Sequence, residues 1–296
     1  MKVVYEDNHI IVVNKEVGEI VQGDKTGDTP LSEYVKQYLK EKYNKPGNVF
    51  CGVVHRLDRP VSGLVIFAKT SKALSRLNEM LRKGEIHKTY WALVEGVPRQ
   101  EAARLENMLV SDGRINKTFE ARPGQKDAKK CVLEYHTVAR GDRYTLLEIN
   151  LLTGRKHQIR AQLSLTGNPI KGDLKYGARR SNPDGGISLM AREIEFVHPV
   201  SKQHIKLTAE PTVEKRRILG LRRLSFSRYK IEGAVGEVVV AVVVAGDAVE
   251  DGLQRELVVG KAAYSGATEV KQRLAGGGEC SPDFIFHYLY MVVTLS

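Results

Sequence analysis

Cysteine is scarce in this chain, with three residues among 296, at positions 51, 131 and 280. An odd number with no CxxC pair argues against a disulfide framework and against a thiolate zinc site, and fits a reducing, cytoplasmic setting. Long apolar runs are missing as well. The longest, Val238 to Ala245, is far below the roughly 20 residues that a membrane-spanning helix requires. No basic-then-apolar leader opens the chain, because Glu6, Asp7 and Asn8 interrupt it almost at once. Eight histidines are present, but they are scattered without HExxH or comparable ligand spacing, so no metal is expected. The reading is a soluble protein without a membrane span, and 42% hydrophobic residues exclude a wholly disordered chain.

What is abundant is positive charge. Lys and Arg number 46 against 35 Asp and Glu, a formal net charge of +11, which predicts a polyanionic partner such as nucleic acid or an anionic membrane surface. The excess is uneven. Met1 to Pro211 carries 35 basic and 25 acidic side chains, whereas Thr212 to Ser296 carries 11 and 10. Any polyanion is therefore expected to meet the first 211 residues.

Hydrophobic periodicity divides that portion into helices and strands. Val3 to Asn14 reads as a strand pair around Asp7-Asn8. Thr29 as N-cap and Pro30 at the first helical position predict a helix to about Tyr43. Val53-Val54 reads as a short strand feeding a polar loop, and Leu64 to Ala68 as a buried strand. Ser71 to Lys83 reads as a helix stopped by Gly84. Strands then dominate: Ile86 to Val94, Arg104 to Val110, Cys131 to Ala139 and Tyr144 to Leu152. A helix from His157 to Leu165 precedes last strands at Ser188 to Phe196 and His204 to Ala209. Runs of consecutive strands predict an α+β fold with a largely antiparallel sheet.

Three polar constellations stand out. In His55-Arg56-Leu57-Asp58-Arg59 a carboxylate sits between two arginines on a strand-end loop. A positioned, ionised Asp can act as nucleophile or base, although a surface ion-pair cluster has the same spelling. In Thr153-Gly154-Arg155-Lys156-His157-Gln158-Ile159-Arg160 a basic turn enters a helix N-terminus. Cations there oppose the helix dipole, a local conflict that points to a role with an anion. In Lys88-Thr89-Tyr90-Trp91-Ala92 strand alternation puts Tyr90 and Trp91 on opposite faces, so that one aromatic faces the core and the other a cleft.

Together these segments resemble, in order and spacing, the RluA family of pseudouridine synthases. HRLDRPVSGLVIFAKT is similar to its catalytic-Asp motif and HKTYWALVEG to its tyrosine motif. LLTGRKHQIRAQL with GNPIKGDLKYG is similar to its third motif, and YEDNHIIVVNKEVG and IEFVHPVS also match. The resemblance covers about Met1 to Pro211 and begins on the catalytic domain's first strand, with no S4 module ahead of it. It implies the pseudouridine synthase fold, a mixed, largely antiparallel sheet with flanking helices and a central RNA-binding catalytic cleft. It also implies isomerisation of uridine in rRNA or tRNA, in which the N1–C1′ bond breaks, the uracil rotates and C5 joins C1′, without cofactor or metal. Covalent attack on C1′ and a glycal route both remain open.

On this chain the resemblance implies Asp58 as the essential carboxylate, Tyr90 stacking on the target base and assisting loss of the C5 proton, and Arg160 pairing with Asp58. Arg56 would fill the gap left by a flipped nucleotide, whose extrusion costs a few kcal/mol; a plain ion pair with Asp58 is the competing reading. Arg59, Arg155, Lys156, His157, Lys129 and Lys130 are the further expected RNA-binding residues, with Lys129 and Lys130 joined to Arg122 and Lys126 in one long loop. Monomeric action is expected, and a noncatalytic RNA-binding protein is the alternative function. Residues 1–211 are expected to form the catalytic domain. Residues 212–296, with 14 valines and 10 glycines, read as an atypical extension, either poorly ordered or non-native, with a small β-rich appendage as the alternative.

Overall fold

The computed structural model describes residues 1–210 and, beyond them, the backbone of three strands. It separates into two units, Met1–Thr212 and Val213–Ser296. In the first unit, β1 (Lys2–Glu6) and β2 (Ile10–Lys15) form a hairpin, followed by α1 (Leu31–Lys42), β3 (Gly52–Val53), β4 (Ser62–Ala68) and α2 (Ser71–Lys83). A strand-rich stretch follows: β5 (His87–Glu95), β6 (Ala102–Asp112), β7 (Lys117–Glu120), β8 (Lys129–Arg140) and β9 (Tyr144–Leu151). Then come α3 (Gln158–Leu165), a 3-10 turn (Leu174–Tyr176), β10 (Leu189–Val197) and β11 (His204–Thr208). All eleven strands join one sheet in the order β1-β2-β4-β10-β5-β9-β8-β6-β7, with β3 on β4 and β11 on β10. Every pairing in this sheet is antiparallel except β4 with β10. The expected mixed, largely antiparallel α+β fold is the one observed.

Strands β2 and β4 are buried on both faces, and their alternate residues feed two cores. Ile11, Val13, Val65 and Phe67 pack with Leu31, Val35 and Leu39 of α1, in a core that also holds Leu57, Tyr90, Ile159 and Leu163. Ile10, Val12, Leu64 and Ile66 point the other way, against Ala73 and Leu77 of α2. Each such fully buried aliphatic side chain contributes about 1.5–3 kcal/mol. The first core is the one that carries the catalytic candidates.

Helix ends show where local signals won and where tertiary contacts won. Gly84 closes α2 in a left-handed conformation with φ 75°, as its sequence predicts, and Thr70, which the sequence reading does not single out, caps it by accepting from the Ala73 N–H. At α1, by contrast, Pro30 is the cap position and not the first helical residue, and no side chain caps the helix. The Leu31 and Ser32 N–H groups instead donate to the carbonyls of Ile20 and Val21 at 2.7 and 3.3 Å, so the adjacent backbone satisfies donors that a side-chain cap would otherwise take. Lys129 and Lys130, expected in a loop, belong to β8, opposite Leu109 and Met108 of β6.

In the second unit, β12 (Arg223–Tyr229), β13 (Val238–Val244) and β14 (Val258–Val259) form an antiparallel sheet built on the valine run. The rest of 211–296, and with it the expectation of a poorly ordered or non-native extension, lies outside the described residues.

Candidate active site

Asp58 lies on the loop between β3 and β4, and its neighbours fix that loop by burial and backbone bonds. Leu57 and Val61 are anchored in the core, and the Val61 N–H closes a turn onto the Asp58 carbonyl at 3.0 Å. Lys15, completely buried, donates from Nζ to the carbonyls of Glu16, Arg59 and Val61 at 2.9, 3.1 and 2.6 Å. A buried ammonium is tolerated where acceptors surround it, and here those acceptors include the backbone just after Asp58. Pro60 and Gly18 add further bonds, the Ile187 N–H donating to the Pro60 carbonyl and the Gly18 N–H to the Arg59 carbonyl, both at 3.0 Å. At the start of β4, Gly63 adopts φ +116°, and a Cβ there would overlap the Ala191 backbone. Only glycine suits both the conformation and the close parallel approach of β10.

Arg160 reaches Asp58 from α3. Its Nη1 donates to Asp58 Oδ2 at 3.0 Å, while Nε and Nη2 donate to Asp173 Oδ2 and Oδ1 at 2.6 and 2.8 Å. Both Arg160 and Asp173 are buried, whereas the Asp58 side chain keeps 28% exposure. Burial works against the guanidinium charge, but the bonds to Asp173 and then to Asp58 outweigh it and raise the Arg160 pKa. The Tyr176 ring lies on the guanidinium, 4.9 Å from centroid to Cζ, a favourable cation–π position.

His157 precedes α3 in the left-handed region, at φ 51° and ψ 21°, which is uncommon for a residue with a Cβ. Its neighbours dictate its tautomer. The Thr118 N–H donates to the Tyr176 hydroxyl at 2.8 Å, so the hydroxyl's own proton is directed to His157 Nδ1 at 2.9 Å. Nε2–H then faces Asp58 Oδ2 at 3.5 Å, a contact on the same oxygen that Arg160 holds. Burial pushes the His157 pKa down to about 4 against the pull of Asp58, so the ring is neutral near pH 7. His157 was grouped with RNA-contacting residues on its sequence position; it is only 7% exposed, because its left-handed backbone turns the ring inward.

Tyr90 projects from β5 into the core shared with Leu57 and Ile159. Burial, and then the Asp58 charge, push its hydroxyl pKa well above the usual range, which places a neutral phenol within electrostatic reach of the carboxylate. Trp91, on the opposite face, donates to Glu148 Oε2 at 3.0 Å and lies under Arg192. His55 accepts the Ile66 N–H at its Nε2, 3.2 Å away; burial, and then the Lys88 charge, push it down to about 3.

The basic residues fall into distinct places. Arg56 is exposed, and among the described residues Asp58 pairs with Arg160 and contacts the neutral His157, not Arg56. Arg59 turns to the acidic loop before α1, donating to Asp28 at 2.6 Å and to Thr26 at 2.7 Å. Arg155 and Lys156 are exposed on the turn before α3; the Arg155 N–H is accepted by Gln158 Oε1 at 3.1 Å and the Lys156 carbonyl accepts from Thr118. Lys130 pairs with Glu106 on the exposed β6–β8 face. Arg122 borders a groove of about 500 Å³ with Asn107, Met108 and Glu120.

Asp173, Tyr176 and Thr118 are the site residues that sequence reasoning passed over. The segment containing Asp173 and Tyr176 was recognised as a motif, yet Gly-Asp-Leu reads locally as an ordinary turn, and Thr118 lies on a four-residue strand without a clear alternation signal. Among the described residues no group of three or more His, Cys, Asp or Glu side chains could hold a metal ion, and no helix is long and apolar enough to cross a membrane.

Known proteins share this arrangement of segments. A family model described as RNA pseudouridylate synthase matches residues 9–165. The chain is 30% identical over 248 residues to ribosomal large subunit pseudouridine synthase D of Xanthomonas campestris, an alignment that covers 77% of this chain and 71% of that one. It is 30% identical over 228 residues to tRNA pseudouridine synthase C of Vibrio vulnificus, covering 71% and 90%. The solved structure of human RNA Pseudouridylate Synthase Domain Containing 4 superposes with a TM-score of 0.62 at 22% identity, over 74% of this chain and 92% of that one, and so shares its fold. With five ordered motifs, a matching family model and the same fold, this chain belongs to the RluA family of RNA pseudouridylate synthases.

Proposed function

We propose that this RNA pseudouridine synthase isomerises uridines of ribosomal or transfer RNA with Asp58 as its catalytic carboxylate, Arg160 as the residue that holds it and Tyr90 as the platform under the base. The observation that supports this most directly is the half-exposed Asp58 carboxylate gripped on one oxygen by a buried, doubly anchored Arg160. A carboxylate restrained in this way is pre-oriented for a reacting sugar. Attack on C1′ and removal of a sugar proton both begin from it. The neutral Tyr90 hydroxyl lies near enough to feel the Asp58 charge, which suits assistance with the C5 proton as C5 replaces N1 on C1′.

Substrate class follows from the relatives, which are named for large-subunit ribosomal RNA and for transfer RNA. Base extrusion is needed to reach a uridine in folded RNA. Arg56, exposed and not held by Asp58, suits the vacated space, and Arg155 and Lys156 suit backbone phosphates; Arg59 and Lys130, tied to Asp28 and Glu106, would have to exchange those partners. We further assign residues 1–211 as the catalytic domain, acting as a monomer in the cytoplasm. Replacing Asp58 by Asn separates an enzyme from a noncatalytic RNA-binding protein. The variant should lose pseudouridine formation, mapped by carbodiimide modification and primer extension on rRNA and tRNA transcripts, and keep RNA affinity. Undiminished turnover would overturn the reading.

A further inference from the structure

We infer that Asp173 is a positioning residue for catalysis: it fixes the Arg160 guanidinium that holds Asp58 by Oδ2, and so keeps Asp58 Oδ1 directed to the reaction. The inference rests on the assignment of Asp58 as the catalytic carboxylate and adds which of its atoms acts and why.

Arg160 carries five N–H donors on three nitrogens. Two of them, Nε and Nη2, are committed to the two oxygens of Asp173, at 2.6 and 2.8 Å. That planar two-bond match fixes the guanidinium in orientation as well as distance. The third nitrogen, Nη1, donates to Asp58 Oδ2. His157 Nε2 approaches the same oxygen. Among the described residues the Arg160 ion pair and the His157 contact to Asp58 both fall on Oδ2, and Oδ1 is left to substrate.

Without Asp173 the guanidinium would lose the two bonds that fix its plane, and its Nη1 contact to Asp58 Oδ2 would no longer be held in one orientation. The Asp58 carboxylate would then be free to turn, and Oδ1 would lose its fixed direction toward substrate. Asp173 prevents this from a site that RNA does not reach: it is 1% exposed, and its backbone is held by Ile170, Tyr176 and Ala178 through bonds of 3.0, 3.0 and 3.1 Å. A role in turnover without a role in RNA affinity follows.

The test is Asp173→Asn, assayed beside Asp58→Asn, Arg160→Met and the double variant Arg160→Met/Asp173→Asn. Single-turnover conditions with enzyme in excess keep slow variants measurable. Asp173→Asn should lower the rate constant by about 10²-fold, the scale of an ångström-sized misplacement, with RNA affinity within about threefold of wild type. The double variant should be no slower than Arg160→Met, because Asp173 acts only through Arg160. A wild-type rate for Asp173→Asn, or a double variant slower than Arg160→Met, would overturn the inference. Should Asp173→Asn fail to fold, the double variant, which removes both buried charges together, decides the matter. Activity in Asp58→Asn would instead count against the assignment of Asp58 itself.

Discussion

At the scale of single residues, the site divides its polar groups into those held rigid and those left to substrate. Arg160, Asp173, Tyr176 and His157 are buried and mutually bonded, whereas Asp58 is partly exposed and Arg56 exposed. Tyr90 belongs to both groups, since its ring is in the core while its hydroxyl senses Asp58. This predicts unequal effects of two substitutions. Tyr90→Phe keeps the ring and should retain RNA affinity while losing turnover, whereas Tyr90→Ala should lose a further ~1–3 kcal/mol of base stacking. The alanine variant also opens a core cavity costing about 3–5 kcal/mol of stability, so both should be compared well below their melting midpoints. Equal affinity and equal turnover of the two would contradict the stacking role.

At the scale of elements, the proposed active site hangs on the junction of β4, β10 and the Asp58 loop. Gly63 makes the parallel β4–β10 contact possible. Gly63→Ala should therefore destabilise the protein by on the order of 3 kcal/mol, combining backbone strain with overpacking; a denaturation midpoint unchanged from wild type would remove that account. Much of this level was legible beforehand. The helix at Ser71–Lys83 has an apolar face and a Gly stop, and β5, β8 and β9 show runs of β-branched and aromatic residues, so their expected bounds lie within a few residues of those observed. Signals that depend on distant chain were not legible. The β4–β10 pair joins residues more than a hundred positions apart, β7 is short and is held by pairing with β6 and by the Thr118 bond to Tyr176, and α1 takes its cap from Ile20 and Val21 rather than from Thr29. The site followed the same rule. Asp58, Tyr90 and Arg160 stand in ordered motifs, but the pairing of Asp173 with Arg160, on which its proposed positioning role rests, appears only in the fold.

At the scale of the whole molecule, ten of the eleven net positive charges lie in residues 1–211, the portion that carries the fold and the site. The same portion holds two histidines in neutral form, with pKa values pushed down to about 3 at the partly buried His55 and about 4 at the buried His157. Because unfolding would restore an ordinary value near 6.5, the unfolded chain binds more protons than the folded one below that pH. Stability should accordingly be full above about pH 6.5 and fall as pH drops toward 4, by up to about 1.4 kcal/mol per pH unit for each histidine. Denaturant midpoints between about pH 7 and pH 4.5 read this directly. His157→Asn, which suits the left-handed backbone, should flatten the slope, and a slope identical to wild type would count against the neutral, buried His157. The central claim is that this chain is an RNA pseudouridine synthase working through Asp58, and one measurement tests it most directly: pseudouridine formed in rRNA and tRNA transcripts by wild type and by Asp58→Asn under single-turnover conditions, with RNA affinity measured alongside. The account predicts pseudouridine at specific uridines with wild type and none with the variant at nearly equal affinity; pseudouridine formed by Asp58→Asn at the wild-type rate would contradict it.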